Sequence, residues 1–345
     1  MKVLLYSDLH ISKTSSILPL FIDGSKYSYR QQMIINTGKY LANLVRQYKP
    51  DMIINLGDTF DVHTLTSYDI STASEFFKCF EEFTDIKHYV LVGNHEMVNQ
   101  NFNAVELLNN IDNITVISDP RTLCDGELAF LPYCNYNDIT EFPTGKFLFS
   151  HQDIQGSQIR GDIQLPDGIS SDFLQKTYKL VFNGHIHKPS IFKNIINVGS
   201  VTTHSFADDN DSVPQCYLFD TETLNLEVFK PKVCLLFRKI TVDTLDDLVQ
   251  KLNELDDSYK YIISCTCPYD IKEEVKNTLI SNEKIVNSRL NVLMSNGQKS
   301  LDKSEIIIQQ SSIDIIKSFE EFLNTVDLKY AKQMYLDILE EVEVK

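Results

Sequence analysis

The chain has 345 residues, 43% hydrophobic and 23% charged. That composition excludes an intrinsically disordered chain and allows a substantial buried core. Its formal net charge of −16 excludes attraction to a phosphate backbone by overall charge, so a nucleic-acid partner would have to be drawn in by bound metal ions or by another subunit.

In chain order, MKVLLYSDLH reaches Asp8 too soon for a signal peptide, so VLLYS (3–7) reads as a first strand. Residues 31–48 have helical spacing, with Met33, Ile34, Thr37, Leu41, Leu44 and Val45 on one face. MIINL (52–56) is a second buried strand, 70–83 a second helix, and YVLV (89–92), FLFS (147–150) and LVFN (180–183) are further strands. Strands alternating with helices predict a layered α/β fold up to about residue 231. No internal repeat interrupts the pattern, and no apolar run reaches the roughly eighteen residues a membrane span requires.

After Pro231 the texture changes. CLLFRKITV (234–242), YKYIISCTC (259–267) and RLNVLM (289–294) read as strands. Between them lie a helix capped at Asp243 or Thr244 and another capped at Asp270. Residues 232–294 thus form a small α+β unit, 295–304 a polar linker, and 305–345 a helical segment with two apolar stripes, one from Ile313 to Val326 and one from Ala331 to Val342. Two short helices cannot bury such stripes alone, so they fold back on the small unit or dock on a partner. The seven cysteines include no CxxC pair; they read as reduced core or edge residues of a cytoplasmic protein.

The chemistry gathers where the strands end. VLLYS is followed by Asp8-Leu9-His10, MIINL by Gly57-Asp58-Thr59-Phe60-Asp61, YVLV by Gly93-Asn94-His95-Glu96, FLFS by His151, and LVFN by Gly184-His185-Ile186-His187. In layered α/β folds, sites form beyond the strand ends, so the five clusters should converge. Asp8, His10, Asp58, Asn94, His151, His185 and His187 offer carboxylate, amide and imidazole donors. Seven side chains are too many for one tetrahedral ion and suit two ions sharing a carboxylate. Nitrogen and oxygen donors without thiolate favour Mn, Fe or Zn over Mg or Ca. Two such ions are apparatus for displacement at phosphorus. His63, His88 and His204 read as surface residues or as residues that support the site from behind. Phe60 and Glu96 read as structural or supporting residues.

In order and type, DLH, GDTFD, GNHE, His151 and GHIH resemble the signature blocks of the calcineurin-like metallophosphoesterases. The resemblance covers residues 8–187 and implies a four-layer sandwich, two sheets flanked by helices, around a dinuclear site. Val62-His63 after Asp61, and Val92 before Gly93, depart from the Ser/Thr protein phosphatases. The form of GDTFD, the NVGS turn (197–200), the small α+β unit and the terminal helices resemble the nuclease subunit of SbcCD-type complexes. This implies a phosphoesterase domain (1–231), a capping domain (232–294) and C-terminal helices docking on the coiled coil of an SbcC-like ABC ATPase. It also implies DNA as substrate, two divalent ions with Mn2+ preferred, and a homodimer, for which the 70–83 helix is a candidate surface, its apolar face reading equally well as core.

Carried over by position, Asp8, His10, Asp58 and His187 hold one ion, and Asp58, Asn94, His151 and His185 the other. His95 is the catalytic proton donor and Asp61 orients its ring. Lys13, Lys26, Tyr27, Tyr29 and Arg30 are candidate DNA contacts. Two competing readings are a stand-alone phosphoesterase for nucleotides or other small phosphoesters, with the cap as a lid, and a scaffold whose activity has decayed. The full ligand set argues against the scaffold.

Overall fold

Successive side chains of a strand alternate in face. In the first strand, Lys2–Tyr6, Val3, Leu4, Leu5 and Tyr6 are all buried, so both faces must be covered. The computed structural model, which describes residues 1–12, 26–99, 102–139, 141–203, 205–206, 212–293 and 305–308, shows by what. Val3 and Leu5 enter a core shared with a second sheet, and Leu4 and Tyr6 a core under two helices.

The first sheet has six strands in the order Leu226–Phe229, Cys216–Asp220, Lys2–Tyr6, Met52–Asn55, Lys87–Leu91, Ile114–Ile117. The last four run parallel, and the first two join as antiparallel neighbours. The second sheet has the order Ser190–Phe192, Ile195–Asn197, Leu180–Asn183, Phe147–Ser150, Leu128–Leu131, Arg121–Leu123. Its four central strands are parallel and its two edges antiparallel. Phe130, Phe147, Phe149 and Phe182 line its inner face, and Phe147 and Phe182 meet Phe219 of the first sheet. Phe149 and Phe182 stack at 5.4 Å, and Phe182 and Phe219 lie 4.7 Å apart. Its outer face, with Leu148 and Val181, is covered by Leu174 of the helix Ser171–Thr177. Helix, sheet, sheet, helix is the expected four-layer α/β arrangement.

Helix Tyr29–Tyr48 begins at a capping box. Gln31 N–H donates to Ser28 Oγ (3.2 Å), and Ser28 N–H donates to Gln31 Oε1 (3.0 Å). The second helix is Ser67–Lys78, capped in the same way by Thr66 and Asp69. It stops earlier than the spacing predicts, because residues 79–83 tighten into three-residue turns, as in Phe80 N–H to the Phe77 carbonyl (2.9 Å). Its apolar face, Ala73, Phe76 and Phe77, is core. Among the described residues, no helix is long and apolar enough to cross a membrane.

The cap sheet has three parallel strands, Leu235–Thr241, Lys260–Pro268 and Ile285–Leu293. Helices Leu245–Asn253 and Lys272–Ser281 connect them and pack with the sheet around Ile263, Cys265, Leu248 and Leu279. Thr244 caps the first of these helices, taking the Asp247 N–H at 3.2 Å. Asp270 does not cap the second. It sits in a 3-10 turn, Tyr269–Ile271, that leads into the helix without a side-chain cap. Glu305–Ile308 is a fourth strand, antiparallel to Ile285–Leu293. The segment expected to be helical from residue 305 therefore opens as a strand. A run of three isoleucines suits a free sheet edge better than a helix start. The expected linker at 295–304 and the helices beyond 308 lie outside the described residues. All seven cysteines are free, with Cys216, Cys234, Cys265 and Cys267 buried.

The cap sits on the start of helix Tyr29–Tyr48 and on residues 200–206. Phe237 and Ile262 pack with Tyr29 and Phe206, and Leu235 N–H points to Met33 Sδ at 3.2 Å.

Candidate metal centre

The loops that follow the parallel strands of both sheets meet at one end of the sandwich. Asp8 and His10, Asp58 and Asp61, and Asn94 and His95 come from the first sheet. His151, His185 and His187 come from the second. Three groups of donor atoms form there, each with its atoms within 4.8 Å of one another: Asp8, His10 and His187; Asp58, His151 and His185; and His10, Asp58 and His95. Asn94 joins the second group, its Oδ1 lying 3.1 Å from His151 Nε2 and 2.9 Å from His185 Nδ1. The two histidines of GHIH thus part, one to each end of the cluster. Asp58 stands between, its Oδ2 3.6 Å from His10 Nε2 and 3.3 Å from His151 Nε2.

The loops reach this arrangement through costly backbone. Asp8, His10, Asp58 and His185 have φ of 53°, 47°, 50° and 68°. Such left-handed residues cost on the order of 1–3 kcal/mol each and persist only where surroundings enforce them. Here Asp8 N–H donates to the Gly57 carbonyl (3.1 Å) and His10 N–H to the Asp58 carbonyl (3.0 Å), lacing the first loop to the second. Glu96 does the same for the third, accepting Gly93 N–H (2.7 Å) and Phe60 N–H (2.8 Å). Gly93 must lack a side chain, because a β-carbon there would collide with the Asp58 carboxylate.

The donors fit divalent cations. Both carboxylate oxygens of Asp8 are buried and accept no hydrogen bond, although His10 Nε2 and His187 Nε2 each stand 3.7 Å from Oδ1. A buried carboxylate left so is expensive unless a cation completes it. His10 Nε2 and His187 Nε2 face each other at 3.0 Å, a contact that requires a proton or a cation between two lone pairs. Burial lowers the pKa of His10, but Asp61, Asp8 and Asp58 together outweigh it and raise the ring to about 10. Burial likewise lowers His151, yet Asp58 and Asp8 carry it up to about 9. Asp58 is held well below the usual carboxylate range, its burial outweighed by His151, His10 and His95. The surplus of carboxylate at this end is what a pair of cations would neutralise.

His95 is the exposed member, 40% accessible, with Nε2 4.0 Å from Asp58 Oδ2. Its Nδ1 contacts the Asp61 backbone carbonyl at 2.9 Å and lies 3.7 Å from Asp61 Oδ1. The Asp61 carboxylate is closer to His10 Nδ1, at 3.1 Å. It therefore supports a ligand candidate at least as directly as it supports His95.

Sequence reasoning missed Asp153, whose Oδ1 lies 3.0 Å from His185 Nε2. A carboxylate there accepts the Nε2 proton, which leaves Nδ1, facing Asn94 Oδ1, as the ring atom to offer an ion. The i, i+2 spacing from His151 was the available signal. Arg30 is not a surface residue awaiting DNA; it is buried, with its guanidinium on backbone carbonyls. His88 is neither at the surface nor at the site. It is buried, with Nε2 2.9 Å from the Tyr6 hydroxyl. His63 is exposed, as expected. Lys13 and His204 lie outside the described residues.

A two-sheet sandwich with paired Asp/His donor groups at the strand ends defines a metal-dependent phosphoesterase. The pattern of the calcineurin-like phosphoesterases matches residues 1–189, and the chain belongs to that family. The chain is 28% identical over 312 residues to exonuclease subunit 1 of Enterobacteria phage T4, a match spanning 82% of this chain and 86% of the relative. Among solved structures it is similar to nuclease MPE of Pseudomonas putida, at 17% identity over 63% of this chain and 84% of the other, with a TM-score of 0.33. It is also similar to TT1561 of Thermus thermophilus, at 12% identity over 67% and 98%, with a TM-score of 0.42.

Proposed function

We propose that this chain is the nuclease subunit of a DNA end-processing, recombination or repair complex. It hydrolyses phosphodiester bonds with two divalent cations, Mn2+ by preference. The chemistry rests on one observation: two buried donor groups share Asp58 as a neighbour, with the exposed His95 beside them. DNA as substrate is supported by the likeness to the phage exonuclease subunit. At 82% of the chain, that likeness runs past the phosphoesterase part into the cap.

In this reading Asp8, His10, Asp58 and His187 hold one ion, and Asp58, Asn94, His151 and His185 the other. When bound, the ions supply charge stabilisation at the phosphoryl oxygens and a water of lowered pKa. The chain's own groups position and move protons. His95 Nδ1 rests on the Asp61 carbonyl, so Nε2 is the atom that delivers a proton to the leaving 3′-oxygen. The Asp61 carboxylate steadies His10 and flanks His95. Asp153 fixes the ring of His185.

The net charge of −16 makes weak DNA affinity for the isolated chain the natural expectation. An SbcC-like coiled-coil ABC ATPase, bound by the C-terminal helices, would supply the rest. A homodimer belongs to the same reading; Tyr68 and Ile70 remain exposed on helix Ser67–Lys78.

The test is an Mn2+-dependent assay on single- and double-stranded DNA beside a small phosphodiester. Divalent-ion-dependent DNA cleavage, abolished by chelation, is expected. Turnover of the small ester with no DNA cleavage, with or without the ATPase, would replace the nuclease with a stand-alone phosphoesterase. Truncation after residue 304 is expected to abolish ATPase binding.

A further inference from the structure

The Asp8–Leu9–His10 turn is held from behind by the serine that closes the NVGS turn and by two residues, Thr202 and Arg30, that no motif marks. Ser200 Oγ donates to the Asp8 carbonyl (2.7 Å), and Thr202 Oγ1 donates to the Leu9 carbonyl (2.9 Å). Arg30 Nη2 donates to both the Leu9 and His10 carbonyls, each at 2.9 Å. All three carbonyls of a turn that carries two left-handed residues therefore accept side-chain donors.

Arg30 also reaches sideways. Its Nη1 donates to the Thr203 carbonyl, and the Thr203 hydroxyl donates to the carbonyl of Leu235, the first residue of the first cap strand. The same strand start touches the Arg30 helix directly, through Leu235 N–H on Met33 Sδ, one turn beyond Arg30. Cys234 Sγ lies 3.5 Å from the Val201 carbonyl and 3.7 Å from Thr37 Oγ1. The foot of the cap thus rests on both segments that clamp the His10 turn.

We infer that Arg30 is a positioning residue for the ion held by Asp8, His10 and His187, and that through Thr203 it ties that ion's affinity to the seating of the cap. The inference rests on the reading of those three residues as ligands. A planar guanidinium is suited to the task, because its fork holds three carbonyls in fixed relative positions, which an ammonium cannot do. With Arg30 gone, the His10 carbonyl loses its side-chain donor and the Leu9 carbonyl keeps only Thr202, so the strained turn holds His10 less firmly beside Asp8. With only the Thr203 hydroxyl gone, the clamp stays but the hydrogen bond that links it to the cap strand is cut, leaving the Met33 and Cys234 contacts.

The test uses the full chain and Mn2+ itself, titrated calorimetrically into wild type, R30M, R30K and T203V, with thermal unfolding of each ion-free protein as the check on folding. Wild type is expected to bind two ions. R30M should lose affinity for one of them by about tenfold or more, in the range seen when groups supporting a ligand are removed, while the other binds as before. On a phosphodiester substrate kcat should fall with KM little changed, and excess Mn2+ should recover part of it. R30K should fall between R30M and wild type. T203V should weaken the same ion by a few-fold.

Wild-type affinity for both ions in a folded R30M overturns the positioning role. If R30M does not fold, R30K decides: unchanged affinity there overturns it equally. Wild-type affinity in T203V overturns the tie to the cap. Failure of the wild-type chain to bind two ions would be a different result, since it removes the ligand assignment beneath the inference.

Discussion

Two imidazole environments in the same sandwich respond to burial in opposite ways. His10 and His88 are both buried. His10 stands among Asp8, Asp58 and Asp61 and is raised to about 10. His88 is ringed by Phe77, Phe80 and the Tyr6 hydroxyl; with no carboxylate to oppose it among the described residues, burial lowers it to about 3. Desolvation acts alike on both rings, so the neighbours alone decide the sign. The first ring sits in a strained and under-bonded cluster of the kind that binds cations. The second is a settled piece of core. Burial of a histidine therefore says nothing about function until the groups around it are counted.

Four changes break or sharpen this contrast. Asp58→Ala removes the carboxylate that the proposed reading gives to both ions and should cost both of them and all activity; metal analysis showing two ions still bound would sink that proposed bridging role. His95→Ala should leave ion binding intact and lower DNA cleavage by about 10²–10⁴-fold, the usual worth of a positioned acid; cleavage at the wild-type rate would remove His95 from the mechanism. Asp153→Asn should weaken the ion beside His185 by about 10–100-fold while sparing the other, which competition titration with Mn2+ resolves. The smallest effect concerns His88. Its folded pKa lies below the unfolded value of about 6.5, so between about pH 6.5 and 3 the unfolded chain binds the extra proton. Stability attributable to His88 is therefore complete above pH 6.5 and declines as the pH falls. The decline approaches about 1.4 kcal/mol per pH unit for this one group. Urea unfolding of His88→Gln across pH 7 to 5 should show a shallower slope than wild type; equal slopes would mean the ring is protonated in the fold.

The strand ends were legible because each combined a short apolar run with a polar residue at its close. Position after a buried strand carries information that residue type alone does not. The five runs predicted as strands in the first domain are strands, with ends shifted by at most two residues. What stayed hidden depended on long-range packing. Arg30 looks in sequence like one more cation of a basic loop. Only the fold shows that it opens a buried helix end, pressed against carbonyls from residues 9, 10 and 203. Asp153 is one of many surface-type aspartates until the second sheet brings His185 to it. His88 alternates in the third strand as a polar residue should at an outer face, but that face is covered by helix Ser67–Lys78. Glu305–Ile308 read as helix because the apolar stripes further along set the pattern for the whole segment, although its three consecutive β-branched isoleucines already favoured a strand.

The phenylalanine layer between the sheets has a consequence for chemistry that none of its members touches. Asp8, His10, Asp58 and Asn94 ride on one sheet, and His151, His185 and His187 on the other. The two sheets are held apart by a layer of rings, Phe147 and Phe182 of one meeting Phe219 of the other, with Phe149 and Phe130 stacked behind them. That aromatic layer acts as a shim. Its thickness sets how far one half of the donor set stands from the other, so trimming a ring there would detune a reaction at the far end of the strands without altering any atom that takes part in it.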